Sequence, residues 1–206
     1  MVLASLTRGA RPDTLHHGGC HVKVTISGKS LELVLGDITD QATDAIANAA
    51  NSHLAGGGGV DGAIHRAAGP SVMKDCARLG GCPTGSAVAT GAGHLKARFI
   101  FHAVGPIWRG GAQKEADLLA GAYRRCLELA EENHCRSLAF PSISTGIYGY
   151  PVDQAARVAL ATVLSHLPRA VELDRVVFVL FDGVTLAAYE TALRELAAAR
   201  KEIQVG

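Results

Sequence analysis

Apolar positions along this chain fall into two periods, and the change from one to the other marks out its elements. Residues 22–27 (Val-Lys-Val-Thr-Ile-Ser) and 30–35 (Ser-Leu-Glu-Leu-Val-Leu) flank a Gly28-Lys29 turn and predict a pair of strands. Residues 44–50, 98–104, 137–143 and 174–181 are short, nearly continuous apolar runs, and 86–90 is a further strand. Between them the spacing turns helical. Residues 60–68 form one helix; 70–79 form a second, opened by Pro70 and stopped by Gly80-Gly81. Residues 115–133 carry Leu118, Leu119, Ala122, Cys126, Leu129 and Ala130 on one face. Residues 152–167 follow, ending near Pro168, and Leu186, Tyr189, Leu193 and Leu196 mark a last helix. Apolar strands separated by helices imply a sheet buried on both faces, hence an α/β chain of three layers, α/β/α.

Composition narrows this picture without changing it. The 206 residues suit one domain with a full core, and 48% hydrophobic content is ordinary for such a domain. A formal net charge of +1 provides no broad basic field, so general nucleic-acid binding is unsupported. No apolar run reaches the roughly 20 residues of a membrane-spanning helix. The five cysteines are odd in number and scattered, which fits reduced thiols and a cytoplasmic location. Residues 1–20 are polar and Gly-rich and read as a flexible extension ahead of a domain over 21–206. His16, His17, Cys20 and His21 read as part of a solvated tail, so no metal is expected there, and no cofactor anywhere. A monomer is the default expectation.

The candidate chemistry sits in residues 48–66, Asn-Ala-Ala-Asn-Ser-His-Leu-Ala-Gly-Gly-Gly-Gly-Val-Asp-Gly-Ala-Ile-His-Arg. Four glycines, 56–59, stand between a strand and a helix start. Such a loop allows close approach of backbone to a bulky ligand, and its amides, leading into a helix N-terminus, accept phosphate oxygens. Asp61 and His65, four residues apart, project from one face of that helix beside the loop. A bare glycine run would read as a flexible linker; the strand before it and the helix after it set this one apart. Neither Gly-x-x-x-x-Gly-Lys-Ser/Thr nor a dinucleotide Gly-x-Gly-x-x-Gly is present, so a P-loop NTPase and a nicotinamide dehydrogenase are unsupported. A second loop, Ser144-Thr-Gly-Ile-Tyr148, follows an apolar strand with two hydroxyls and a glycine, and a pyrophosphate would fit between it and 57–60.

Asn48-Ala-Ala-Asn51, Gly56-Gly-Gly-Gly-Val-Asp-Gly-Ala-Ile-His65 and Pro141-Ser-Ile-Ser-Thr-Gly-Ile-Tyr-Gly-Tyr-Pro151 together resemble a macrodomain, most closely of the MacroD type. Gly36-Asp-Ile-Thr39, Leu79-Gly-Gly-Cys-Pro-Thr-Gly85 and His102-Ala-Val-Gly-Pro106 fit as well, so the resemblance spans about residues 31–196. It implies a central mixed, mostly parallel sheet and a cleft for ADP-ribose. Asp37, with Ile38 beside it, would accept from the adenine 6-amino group, although Asp37-Ile-Thr is equally good capping chemistry. Phe181 would stack on adenine. Gly57, Gly58, Gly59 and Val60 would face Ser144, Thr145, Gly146, Ile147 and Tyr148 across the pyrophosphate. Asn51 would hold the distal ribose, Asp61 would position or deprotonate water, and His65 would orient Asp61. Tyr148 or Tyr150 would cover the ligand. The Cys/His cluster of zinc-dependent macrodomains has no counterpart, and His102 and Cys82 read as packing residues.

The implied activity is a hydrolase acting on ADP-ribose esters, either mono-ADP-ribosylated Asp or Glu side chains of proteins or O-acetyl-ADP-ribose. Asp61 stands in the first turn of a helix, where a charged carboxylate is favoured. It therefore suits orienting water and stabilising positive charge at the anomeric carbon, with a substrate phosphate as the other candidate base. Two other readings use the same cleft: a non-catalytic ADP-ribose reader, and removal of the terminal phosphate from ADP-ribose-1″-phosphate. His53 and Ala47 depart from the family pattern without touching the proposed catalytic positions.

Overall fold

The most continuous apolar runs become the inner strands, where neither face meets water. The computed structural model describes residues 20–200 and 203–205. Its strands are β1 (Cys20–Ile26), β2 (Lys29–Leu35), β3 (Ala45–Ala49), β4 (Ser86–Gly91), β5 (Phe99–Val104), β6 (Ser137–Phe140), β7 (Arg175–Leu180) and β8 (Ile203–Val205). They form one sheet in the order β4-β5-β3-β6-β7-β2-β1-β8. Strands β5, β3, β6, β7 and β2 are mutually parallel, while β4, β1 and β8 add antiparallel edges. The sheet is mixed and mostly parallel, as the resemblance implied.

Side chains alternate between two cores with the period of a pleated strand. Leu138 and Phe140 of β6, with Val176, Phe178 and Leu180 of β7, pack beneath α3 (Glu115–Glu132), α4 (Val152–His166) and α5 (Gly183–Ala198). Ala139, Val177 and Val179 from the same strands pack on the opposite side against Ile64, Ala68, Val72 and Cys76 of α1 (Gly59–Ala68) and α2 (Pro70–Leu79). The three-layer α/β/α expectation holds.

Two details differ from the pattern reading. The strand expected over 137–143 ends at Phe140, because Pro141 lacks the amide that the ladder requires. Strand β8 was not expected at all: three residues pair with β1 (Ile26 opposite Ile203) and carry too little pattern to signal a strand. The extension expected over 1–20 falls, except for Cys20, outside the described residues. No helix among the described residues is long and apolar enough to cross a membrane.

The parallel arrangement fixes where function resides. The loops that follow the carboxyl ends of β2, β3, β5, β6 and β7 all emerge at one end of the sheet, the usual ligand side of an open α/β sheet.

Candidate active site

The loop after β3 is shaped by its own asparagine. Asn51 Nδ2 donates to the Gly56 carbonyl at 2.8 Å, and its Oδ1 accepts from the His53 and Ala55 amides at 3.1 and 3.3 Å. Gly56 and Gly59 have φ of 74° and 57°, a region that side chains disfavour. Helix α1 begins at Gly59 with Gly58 as its N-cap, and no side chain caps it. Its first amides therefore remain open to an outside acceptor. Gly62 lets the first turn lie against the loop: a β-carbon there would stand 2.5 Å from the Gly57 carbonyl oxygen.

The facing loop after β6 is equally constrained. Ser144 has φ of 68°, and its carbonyl accepts from the Tyr150 amide at 3.0 Å. Its buried hydroxyl has no hydrogen-bond partner among the described residues. Tyr148 is tied at its carbonyl by the Trp108 amide at 2.9 Å. Tyr150 is buried, with its ring 4.5 Å from that of Trp108, so Tyr148 is the tyrosine at the cleft.

Two cavities meet between these loops. One, of about 240 Å³, is lined by Asn51, Gly57, Gly58, Gly59, Val60, Asp61, Ser144, Gly146, Ile147 and Tyr148. The other, of about 520 Å³, is lined by Asp37, Ile38, Gly59, Val60, Thr145, Gly146 and Phe181. Gly59, Val60, Ser142 and Gly146 belong to both, so the cleft is continuous. Of the residues proposed from the sequence to contact the ligand or act on it, His65 and Tyr150 line neither cavity; His65 stands behind Asp61. Asp37 does cap a short 3-10 turn, accepting from Thr39 N and Oγ1 at 2.8 and 2.7 Å through Oδ1, which leaves Oδ2 uncommitted. Phe181 is 83% exposed at the end of β7, which excludes a core role. Arg66 and Thr185 also line the larger cavity, and no local pattern distinguished them from solvated helix residues.

Asp61 is buried and lines the smaller cavity, and its Oδ1 is held from two sides. Asn48 Nδ2 donates to it at 2.7 Å, and His65 Nε2 lies 3.2 Å away. The carboxylate is thus fixed by a strand residue and by the next turn of its own helix. Behind it, Asn48 Nδ2 also faces His102 Nδ1 at 3.1 Å, and His102 Nε2 faces Thr90 Oγ1 at 2.9 Å. Burial, followed by the neighbouring His65, lowers the His102 pKa to about 4, so the ring is neutral. Asn48 was read only as part of a motif and His102 only as packing. The available signal was a polar residue in each of two otherwise apolar strands.

His65, Cys76 and His102 come within 4.8 Å of one another, a cluster that their separation in sequence concealed. Cys76 Sγ lies 3.6 Å from His102 Nε2 and 4.0 Å from Nδ1. So even a spacing sets the sulfur off both in-plane ring-nitrogen directions, which Asn48 and Thr90 already occupy. Burial, and then the charges of Asp61 and Asp75, push the Cys76 thiol up to about 11, so it is protonated and not a nucleophile at neutral pH.

Fold and cleft together define a three-layer α/β domain with one continuous cleft across the strand ends. The macro domain family model matches residues 47–159. A macrodomain of Oceanobacillus iheyensis solved with ADP superposes with a TM-score of 0.85 at 42% identity, covering 89% of this chain and 100% of that one. The Trypanosoma brucei macrodomain in complex with ADP-ribose gives 0.74 at 42% identity, covering 79% and 68%. The O-acetyl-ADP-ribose deacetylase of Salmonella typhimurium is 53% identical over 169 residues, 80% of this chain and 94% of that protein. A macro domain-containing protein of Cupriavidus necator is 52% identical over 172 residues, 82% and 99%. The chain belongs to the macrodomain family.

Proposed function

We propose that this chain is a hydrolase that binds ADP-ribose in the cleft and cleaves esters at its distal ribose. Its substrates are O-acetyl-ADP-ribose and proteins carrying ADP-ribose on Asp or Glu. The observation that carries the proposal is Asp61, a buried carboxylate lining the smaller cavity of the cleft and fixed through Oδ1 by Asn48 and His65. The resemblance in sequence to a protein named O-acetyl-ADP-ribose deacetylase supports the same chemistry.

The ligand runs from the larger cavity to the smaller. Adenine stacks on Phe181 with Asp37 Oδ2 at its amino group. The pyrophosphate lies at the shared wall, bound by the amides of 57–60 and by the loop of Ser144, Thr145 and Gly146. The distal ribose then sits beside Asn51 and Asp61 under Ile147 and Tyr148. With Oδ1 occupied, Oδ2 of Asp61 is the oxygen that meets water. It directs that water at the acyl carbonyl of the ester or, where the bond to the anomeric carbon is the one that breaks, at that carbon, whose developing positive charge it stabilises; a substrate phosphate oxygen is the other acceptor for the water's proton.

The test is ADP-ribose release from a glutamate-modified protein, and acetate release from O-acetyl-ADP-ribose, by wild type and Asp61→Ala. Turnover is expected from the wild type alone, with ADP-ribose affinity of the variant within about tenfold, or about 1.4 kcal/mol. Equal turnover would remove Asp61 from the reaction. Binding without turnover in the wild type would make the chain an ADP-ribose recognition module.

A further inference from the structure

We infer that Thr90, His102 and Asn48 form a buried row that dictates which end of the Asn48 amide meets Asp61, making His102 and Thr90 positioning residues for the hydrolysis. This rests on the proposed role of Asp61. A side-chain amide presents an oxygen at one end and a nitrogen at the other, and the hydrogen-bond network decides which is which. A carboxylate only accepts, so the atom 2.7 Å from Asp61 Oδ1 has to be Nδ2. The second hydrogen of Nδ2 points to His102 Nδ1 at 3.1 Å, which must then accept. The His102 proton consequently lies on Nε2, facing Thr90 Oγ1 at 2.9 Å, and the Thr90 hydroxyl donates to the Gly91 carbonyl at 3.0 Å. Every proton in the row has one place.

The opposite arrangement shows what the row prevents. A proton on His102 Nδ1 would set donor against donor, the Asn48 amide would turn over, and its oxygen would face the Asp61 carboxylate. Asn48 Oδ1 is buried without a partner, an unfavourable state that the present orientation leaves uncorrected. A merely structural asparagine in an apolar strand would have no reason to keep it. Around the His102 ring stand His65 from α1, with its ring 5.8 Å away, Cys76 from α2, Thr90 from β4, and Asp61 through Asn48. None of these places a carboxylate against His102 itself, and burial keeps the ring in the neutral form that the row requires.

The ¹⁵N shifts of the His102 ring in the unliganded wild type read the tautomer without reference to activity. A proton on Nε2 is expected; a proton on Nδ1 would overturn the row. The kinetic arm compares wild type, Thr90→Val and Thr90→Ser. Valine keeps the shape of threonine and removes the acceptor for the Nε2 proton. It is expected to lower kcat about ten- to hundredfold with KM and ADP-ribose affinity unchanged, the scale of a misplaced catalytic group. Serine is expected to restore the rate. Thr90→Val with wild-type kcat would overturn the positioning role, as would a rate loss that serine fails to rescue. A wild type without turnover would instead overturn the hydrolase reading, which the tautomer measurement does not touch.

Discussion

Phe181 and Arg66 both line the larger cavity, proposed here to take adenine, but they act through forces of different size. Phe181 directly follows β7 with 83% of its surface exposed, so its ring contributes little to the core and is free to stack on a base. Base–aromatic stacking is worth about 1–3 kcal/mol by alanine substitution. Phe181→Ala is therefore expected to weaken ADP-ribose binding by about ten- to hundredfold in a calorimeter while leaving the unfolding midpoint in place. An unchanged affinity would take Phe181 out of the site. Among the described residues lining either cavity, Arg66 is the one cation, and it makes no ion pair with another described residue. Its guanidinium folds back over the first turn of α1, with Nη1 3.1 Å from where a Gly62 β-carbon would stand. An exposed charge contact is worth only about 0.2–1 kcal/mol and is screened by salt. Arg66→Gln should accordingly cost at most about fivefold at low ionic strength, and less at high salt. A loss as large as that of Phe181→Ala, persisting in salt, would contradict a screened surface contact.

Binding geometry at the scale of elements depends on how closely the glycine loop and α1 approach, and Gly62 is the contact. Alanine at this helical position would add about 0.5–1 kcal/mol of intrinsic helix preference. Its β-carbon, however, would come within 2.5 Å of the Gly57 carbonyl oxygen, which is backbone and cannot swing aside. The steric term wins. Gly62→Ala is expected to displace the 56–59 loop from α1, lowering ADP-ribose affinity at least tenfold in titration calorimetry with the fold retained; full affinity would mean the loop yields freely. This unit was legible in the sequence because its chemistry is local. Glycines, Asp61 and His65 lie within ten residues of one another, and the strand before and helix after follow from pattern. Asn51 was assigned to the ribose through resemblance, yet its carboxamide is also the clasp of the loop, a contact between residues five apart that spacing alone does not reveal. The row behind Asp61 was hidden for a further reason. Asn48 and His102 are 54 positions apart and meet only because β3 and β5 pair in register, Asn48 opposite His102.

At the scale of the whole molecule, the layers followed from apolar runs and the mostly parallel sheet from the resemblance, whereas β8 exists only through its edge pairing with β1 and left no signal in three residues. Equally invisible in sequence was how deeply the fold buries titratable rings, and this governs its response to acid. His102 is completely buried, and its pKa falls from the ordinary 6.5 of an imidazole to about 4, chiefly through burial. Burial also lowers the pKa of His166. A histidine depressed in the folded state takes its proton first in the unfolded chain. Its effect is absent above pH 6.5, grows as pH falls from there toward about 4, and levels off below. The interval is worth about 3 kcal/mol for His102 at about 1.36 kcal/mol per pH unit, a large share of the 5–15 kcal/mol typical of a domain. Carboxylates held below their ordinary values, such as Asp174 by Arg136 and Asp182 by the Thr185 amide, contribute in the same direction only below their usual 3.8. The region between pH 6.5 and 4.5 therefore belongs to the buried histidines. Urea unfolding at about pH 7.5, 6 and 5 is expected to give a wild-type stability that declines steadily with acid. His102→Gln, whatever its stability at neutral pH, is expected to give a distinctly shallower decline. Parallel declines in the two proteins would mean that His102 takes up its proton as readily folded as unfolded, contrary to its complete burial between α1, α2 and the sheet.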